Sequence, residues 1–406
     1  MNQILKENAS FGAKLNSYLI CLLPVGLLAG SLVSNSIVIL ICFIFLFDIF
    51  HQKKTFLLKS KDLYFLLLIN LYLILNSIFI SQNQDSIIKA IGFIRFVILT
   101  YAICYYFNYF RDKIIKFWSV VFIIVSIDIL IEFSFGKNIL GFSSAYYGRI
   151  ASFTGDELVV GGFYFGFILI CLSFFYNKDK RIFSILAIGF LLISLIIGER
   201  SNFLKIFIMY ILFFLFYFKI SYLKKFLLIM IMFITSFIII NNIPLLKSKF
   251  YNQIFKEFIK AKENNYNLNL DQLVIGNQHL SHYKVAILIF NENPVFGSGF
   301  KTFRNKSFEP QYSNKKFRVG STHPHQIHFE ILSELGLIGY LLILSNLMYV
   351  IFRKNASNQD PLKIFAKIFI IASLVPILPS GSFFTSFTTT IFFINYSFLM
   401  RPHTLR

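Results

Sequence analysis

Residues 226–240 of the chain read FLLIMIMFITSFIII and carry no charge. Runs of the same kind recur along the 406 residues, for example at Phe183–Ile197 and Gly336–Tyr349. About 20 mostly apolar residues cross the hydrocarbon of a bilayer, where the backbone polar groups must bond within their own segment. These runs therefore predict membrane-spanning helices.

The composition supports a membrane protein. Hydrophobic residues make up 56% of the chain and charged residues only 14%, whereas soluble proteins are about 25% charged. A formal net charge of +20 on a soluble protein would suggest nucleic acid. Here we attribute the charge to membrane topology and expect no nucleic-acid partner. The four cysteines lie in apolar runs, which favours small core residues over a disulfide framework.

The apolar runs predict an all-α integral membrane protein with about twelve transmembrane helices. Residues 1–243 hold spans one to nine, 244–325 form a loop on the outer side, and 326–406 hold spans ten to twelve. The predicted spans are 18–33, 36–50, 63–80, 88–108, 114–134, 157–176, 182–197, 203–219, 226–243, 326–352, 364–379 and 383–400.

Basic residues mark every second connection between these spans. By the positive-inside rule, those connections and both termini lie in the cytoplasm. The connections Ser34–Ser36 and Ser81–Ser86 contain no Lys or Arg, which fits the opposite side. The loop Pro244–His325 holds twelve Lys or Arg and five Asp or Glu, but loops longer than about 60 residues translocate largely regardless of charge. We therefore expect this loop, and the chemistry, on the outer face.

Five of the seven histidines fall between His279 and His328. The densest string is STHPHQIHFEILSELGLIG, residues 321–339, in which Pro324 suits the start of a helix. His325 is then placed at the outer mouth of span ten, where a neutral imidazole can act as a base. Helix capping or simple solvation is the alternative role for His325.

The string resembles the signature of the O-antigen ligase and polymerase superfamily. That signature is a His followed by Asn, Ser or Gln, then nine residues, then Gly-x-x-Gly. His325-Gln326 and Gly336-Leu-Ile-Gly339 match it with the same spacing. Other parts of the family are resembled by Arg149–Glu157, Gly198–Ser201 and Ala286–Phe303.

The resemblance implies a multi-span membrane glycosyltransferase of the bacterial inner membrane. Such proteins join glycans carried on undecaprenyl diphosphate to an acceptor hydroxyl at the periplasmic face. Ligases use the lipid A core as acceptor, and polymerases use a growing glycan. The implied partners are these glycans and membrane lipid, with no cofactor. A transporter or flippase would instead predict inverted repeats and broken helices at mid-membrane, and the sequence shows neither.

Arginines are the predicted ligands of the donor diphosphate, because the guanidinium fork binds such oxygens in pairs and stays charged. Arg200 lies in a short turn between apolar spans, where an unpaired charge is costly. An ion pair with Glu199 or a contact with a lipid headgroup is its alternative role. The further candidates are Arg149, Arg304, Arg318 and the intramembrane Arg95. For Arg95, a structural ion pair with Asp128 or Glu132 is as strong an expectation as diphosphate binding.

His282 departs from the family pattern, since family ligases commonly carry an arginine at the start of the loop helix. His282 or the nearby Lys284 is the candidate substitute in diphosphate binding. His323, His325 and His328 are spaced so that zinc binding is an alternative. The outer segments contain no Asp-x-Asp motif, so we expect a metal-independent reaction.

The topology gives the first prediction. A reporter fused at Asn265, within the long loop, should be exposed in the periplasm because the charge pattern places that loop outside. Paired alkaline phosphatase and green fluorescent protein fusions measure this directly. Cytoplasmic activity of the Asn265 fusion would contradict the whole mechanism.

Overall fold

A computed structural model describes residues 10–52, 60–146, 148–157, 159–176, 178–252, 277–313, 319–353, 360–376 and 378–400. In these ranges the secondary structure is helical and contains no strand, which confirms the all-α prediction. The helices are α1 Phe11–Leu28, α2 Ser31–His51, α3 Lys61–Asn76, α4 Gln84–Gly92, α5 Ile94–Phe135, α6 Val160–Tyr176, α7 Lys180–Ile196, α8 Arg200–Phe216, α9 Tyr222–Asn242, α10 Pro244–Lys247, α11 Gln278–Glu292, α12 Phe303–Lys306, α13 Ile327–Phe352, α14 Pro361–Ser373 and α15 Ser386–Ser397.

Each predicted span contains a helix, and in the described part of the chain seven helical segments are long and apolar enough to cross a membrane. The helices α6, α7 and α8 have 17 residues each, and α14 and α15 have 13 and 12. The protein is therefore a multi-helix membrane protein, while twelve full spans stay a prediction. The seven segments are Phe11–Leu28, Ser31–His51, Lys61–Ser81, Gln84–Phe107, Tyr109–Phe135, Tyr222–Asn242 and Ile327–Phe352.

The first two spans begin earlier than predicted. Helix α1 starts at Phe11 because the Ser10 hydroxyl caps it by accepting the amide of Ala13 at 3.0 Å. The break between α1 and α2 falls at Gly30, whose φ of +111° suits glycine. Residues 34–36, predicted as the connection, therefore lie inside α2. Local capping and glycine geometry set these ends, and the apolar run does not reveal them.

Ion pairs tie the helix ends together on one face of the bundle. Helix α5 combines predicted spans four and five and bends at Phe110. Just beyond the bend, Arg111 donates to the carboxylate of Asp360, the residue that caps α14, with an Nη1–Oδ2 distance of 2.8 Å. Arg353 pairs with Asp62 in the same way and so joins the ends of α13 and α3.

Helix α13, predicted as an unbroken span, is broken at Gly336, where φ is +66°. The loop segment Pro294–Gly299 lies along the break and supplies partners for its backbone. This is how non-helical backbone is tolerated inside a membrane protein. The four hydrogen bonds run from Leu337 N to Pro294 O (2.8 Å), Ile338 N to Val295 O (3.2 Å), Ser298 N to Ser333 O (2.9 Å) and Gly299 N to Glu334 O (2.9 Å).

The close packing around this break explains why both positions of the Gly-x-x-Gly motif are glycine. A Cβ added to Gly336 would lie 2.4 Å from the Val295 carbonyl oxygen and the Gly297 amide nitrogen. A Cβ on Gly339 would lie 2.7 Å from the ring of Tyr72. The expectation of unbroken helices is therefore wrong for α13, which is broken at Gly336.

Replacing the glycine at the break should be costly. Gly336→Ala should destabilise the protein by more than about 2 kcal/mol, since a backbone with φ +66° and ψ −169° costs a non-glycine residue roughly 1–3 kcal/mol and the Cβ also meets backbone atoms. Thermal unfolding in detergent measures the change. Gly189→Ala in α7 is the matched control, because its Cβ would meet nothing within 4 Å. Equal melting temperatures for the two variants would contradict the account.

Candidate active site

Four histidines meet where α11 approaches the start of α13. His279 and His282 stand three residues apart on α11 and so share one face. The ring centre of His325 lies 4.0 Å from that of His323, 5.1 Å from that of His282 and 5.2 Å from that of His279. We call these four residues the histidine cluster. The grouping of histidines along the sequence was the signal that predicted this cluster.

His325 is held in an unusual backbone conformation. Its φ is +60°, in the left-handed region that non-glycine residues seldom occupy. The amide of Ser380 donates to the His325 carbonyl at 2.7 Å. The imidazole Nε2 lies 3.4 Å from the Ser321 hydroxyl. These contacts point the ring into the histidine cluster.

Burial keeps the histidine cluster neutral. Desolvation, followed by the charges of His323, His279 and His282, lowers the pKa of His325 to about 3. The pKa of His282 falls to about 4, first through burial and then through His279 and His323. Both nitrogens of His282 are buried without a hydrogen-bond partner among the described residues. Neutral imidazoles with free nitrogens are able to accept protons and hydrogen bonds.

Three cations converge beside this cluster. Arg200 is the first residue of α8, and its Nη1 donates to the carbonyl of Lys249 at 3.0 Å. Burial, then the charges of Arg149 and Arg200, lowers the pKa of Lys249 to about 8. After burial, Arg200 and Arg149 also lower the pKa of His279. The two arginines were predicted from the sequence. Lys249 was not, because no motif distinguishes the stretch of sequence around it.

Two buried carboxylates bind the segment that directly follows Arg149. Glu132 accepts the amides of Ala151 and Ser152 at 3.1 and 2.6 Å. Asp128 accepts the Ser152 hydroxyl at 2.5 Å. Both acids lie on the last turns of α5, so they fix the segment that carries Arg149 against the bundle.

The proposed pair between Arg95 and one of these acids is wrong, since both bind that segment instead. Arg95 donates to the Gly92 carbonyl at 3.0 Å and to the Ser386 hydroxyl at 3.2 Å. Its guanidinium lies 4.5 Å from the ring centre of Phe96. These contacts join α5 to the start of α15, and none of them reaches the histidine cluster.

Glu199 does not form the alternative pair with Arg200. Its carboxylate accepts from the Asn202 amide at 2.6 Å and from the backbone of Gly161 at 3.4 Å. Arg200 thereby keeps a guanidinium that is not neutralised by its neighbour. Arg200 is therefore available to an anionic ligand.

Arg304 lies exposed on α12, at the edge of the site. The pKa of His323 is lowered mainly by burial; Glu330 raises it, and Lys301 and Arg304 lower it further. Lys301, which sequence reasoning missed, sits 3.7 Å from the Glu330 carboxylate and donates to Ser382 at 3.0 Å. Arg318 lies outside the described residues.

His328 stands apart from the cluster. Its Nε2 lies 2.8 Å from the Leu374 carbonyl oxygen, and its Nδ1 lies 3.1 Å from the Tyr340 hydroxyl. It therefore fixes α13 against α14 and does not join His323 and His325. Across the described ranges, no group of three or more His, Cys, Asp or Glu is placed to hold a metal ion.

The fold and site define a multi-helix membrane protein with a basic, histidine-lined site at a broken helix. Residues 184–344 match a protein-family model described as O-antigen ligase, which confirms the O-antigen ligase superfamily for that region. The match includes Arg200, the histidine cluster and the break at Gly336, and excludes Arg95 and Arg149. A search of curated proteins finds no match.

The buried histidines predict a loss of stability in acid. Their folded-state pKa values lie below the ordinary 6.5, so the unfolded chain binds more protons between about pH 3 and 6.5. Stability is full above pH 6.5 and declines as the pH falls, by about 1.4 kcal/mol per pH unit for each extra proton.

Thermal unfolding of the purified protein at pH 7.5 and 5.0 measures this effect. His282→Gln cannot titrate and should show a shallower loss than the wild type. His51→Gln, at an exposed site on α2, is the control and should keep the wild-type slope. A His282→Gln variant with the full acid sensitivity would overturn the assignment.

Proposed function

We propose that this protein is a glycan ligase of the inner membrane. It transfers a glycan from undecaprenyl diphosphate to an acceptor hydroxyl, such as one on the lipid A core, at the periplasmic face. The reaction is inverting and independent of metal. The observation that carries the proposal is the convergence of the histidine cluster with Arg149, Arg200 and Lys249, mostly within the region that matches the O-antigen ligase family.

The cations suit a diphosphate leaving group. Arg200 and Arg149 carry permanent charge and can each donate two hydrogen bonds to phosphate oxygens. Their mutual repulsion, together with that of Lys249, is relieved when an anion binds between them. Negative charge that develops as the diphosphate leaves is then stabilised by groups already in position. Arg304, His282 and the more distant Arg95 are further candidates for the same contact.

His325 is the proposed general base. It removes the proton of the acceptor hydroxyl while that oxygen attacks the anomeric carbon opposite the diphosphate. The bond from carbon to the diphosphate oxygen breaks, the lipid diphosphate leaves, and the configuration inverts. The unliganded His325 is a weak base, with its pKa near 3. Binding of the anionic donor raises that pKa, because opposite charge favours the protonated form, so the base becomes effective when the donor is bound.

The nature of the acceptor separates ligase from polymerase. With a growing glycan as acceptor, the same chemistry extends a polymer. Glycan analysis of a deletion strain decides between them. Full-length polymer stranded on the lipid carrier is the result expected for a ligase. A lipid A core capped by a single repeat unit would instead identify a polymerase, and an unchanged glycan profile would contradict both.

Substituting the base should slow transfer. His325→Gln keeps the size and some hydrogen bonding but loses the basicity, so turnover should fall roughly 10²–10⁴-fold, the usual value of general-base catalysis. Transfer of a lipid-linked glycan by purified protein across a range of pH measures the loss. His328→Gln is the matched control and should cost less, because its imidazole bonds to Leu374 and Tyr340 away from the cluster.

A near-normal rate for His325→Gln, with an unchanged pH profile, would make His325 a structural residue. The base would then have to be sought among the other histidines of the cluster.

A further inference from the structure

A cavity of about 180 Å³ lies next to the histidine cluster and is lined by α6, α8, α14, α15 and the start of α13. Its walls include Glu199, which precedes Arg200, and Ile327, which follows His325 by two residues. Ser380 also lines it and is the residue whose amide holds the His325 carbonyl. The cavity is thus continuous with the elements of the candidate active site.

Most of the cavity wall is apolar. Phenylalanines from three helices line it, among them Phe165, Phe369 and Phe387, together with Ile391 of α15. A wall of this kind is suited to a branched hydrocarbon.

Two polar groups in this apolar wall have no hydrogen-bond partner among the described residues. Lys205 is only 4% exposed, and its ammonium makes no hydrogen bond or ion pair with any residue that the structure describes. Its ammonium is 5.8 Å from the ring centre of Phe165. The Ser380 hydroxyl is likewise buried and unpartnered. Burying such groups is costly unless something binds them.

Glu199 is the acidic group that faces Lys205. Its carboxylate is bound by Asn202 and Gly161. It approaches the Lys205 ammonium but makes no ion pair with it. The cavity thus offers an ammonium donor and a hydroxyl donor in a wall that is otherwise mostly apolar.

We propose that this cavity binds the lipid-side phosphate of a polyprenyl diphosphate and the first isoprene units of its chain. Lys205 and the Ser380 hydroxyl donate to an oxygen of that phosphate, and the phenylalanines contact the isoprene units. The glycan-side phosphate lies with Arg200. This assignment rests on the proposed transferase function and adds the site that orients the lipid end of the donor.

The test is direct binding to the purified full-length protein in detergent. The probes are radiolabelled geranylgeranyl diphosphate, which carries isoprene units, and inorganic pyrophosphate, which does not. Lys205→Met should weaken binding of geranylgeranyl diphosphate about tenfold or more, the usual loss for a hydrogen bond to a charged group. Lys205→Arg keeps the charge and should remain within about threefold of the wild type. Lys224→Met, on an exposed lysine, is the matched control and should bind as the wild type does.

A second variant tests the apolar wall separately. Gly162 lines the cavity, and a Cβ there would lie 3.3 Å from the ring of Phe387. Gly162→Leu should therefore weaken binding of geranylgeranyl diphosphate while leaving that of inorganic pyrophosphate unchanged. This variant also keeps the proposal testable should Lys205→Met fold poorly.

Different results would contradict the cavity assignment and the proposed transferase function. If the wild type transfers glycan and Lys205→Met and Gly162→Leu bind geranylgeranyl diphosphate as tightly as it does, the cavity assignment is overturned and the transferase function stands. Failure of the wild type to bind geranylgeranyl diphosphate also overturns the assignment. If the wild type binds the probe but transfers glycan to no acceptor, the proposed function is overturned.

Discussion

The break of α13 at Gly336 is the constraint on which the rest of the site depends. A helix interrupted within a membrane protein leaves amides and carbonyls that lipid does not satisfy. Segment Pro294–Gly299 satisfies them through four backbone hydrogen bonds. The loop is thereby fixed against the helix whose start carries His325. Because α11 leads directly into that segment, the same contact places His279 and His282 against His325.

The electrostatics of the site follow from this packing. Helix α11 covers the imidazoles, so burial keeps them neutral, while Arg149 and Arg200 arrive from the turns after α5 and before α8. The carboxylates of Asp128 and Glu132 accept hydrogen bonds from backbone amides and a hydroxyl group instead of pairing with the arginines. The result is a positive, proton-accepting site beside an apolar cavity. An amphiphilic anion with a transferable group fits that combination.

The sequence was sufficient to predict a helical membrane protein, because long apolar runs form few structures other than membrane-spanning helices. The family match confirmed the resemblance to the O-antigen ligase superfamily. It also identified His325, Arg149 and Arg200 as residues that the fold brings to one place. It did not reveal the break at Gly336, since hydropathy is continuous across it. Lys205 and Lys249 were missed for a similar reason: their importance comes from burial and from neighbours distant in sequence. The hydrogen-bond partners of Asp128 and Glu132 lie in a loop, and the helical periodicity of the sequence does not predict the conformation of a loop.

Reconstitution of the purified protein in vesicles tests the central claim most directly. Vesicles would contain an undecaprenyl-diphosphate glycan as donor and lipid A core as acceptor, with excess EDTA and no nucleotide. The measured quantities are glycan on the acceptor and free undecaprenyl diphosphate. The account predicts that both appear in equal amounts. Movement of the intact lipid-linked glycan between leaflets, without a new glycosidic bond, would contradict it and identify a transporter.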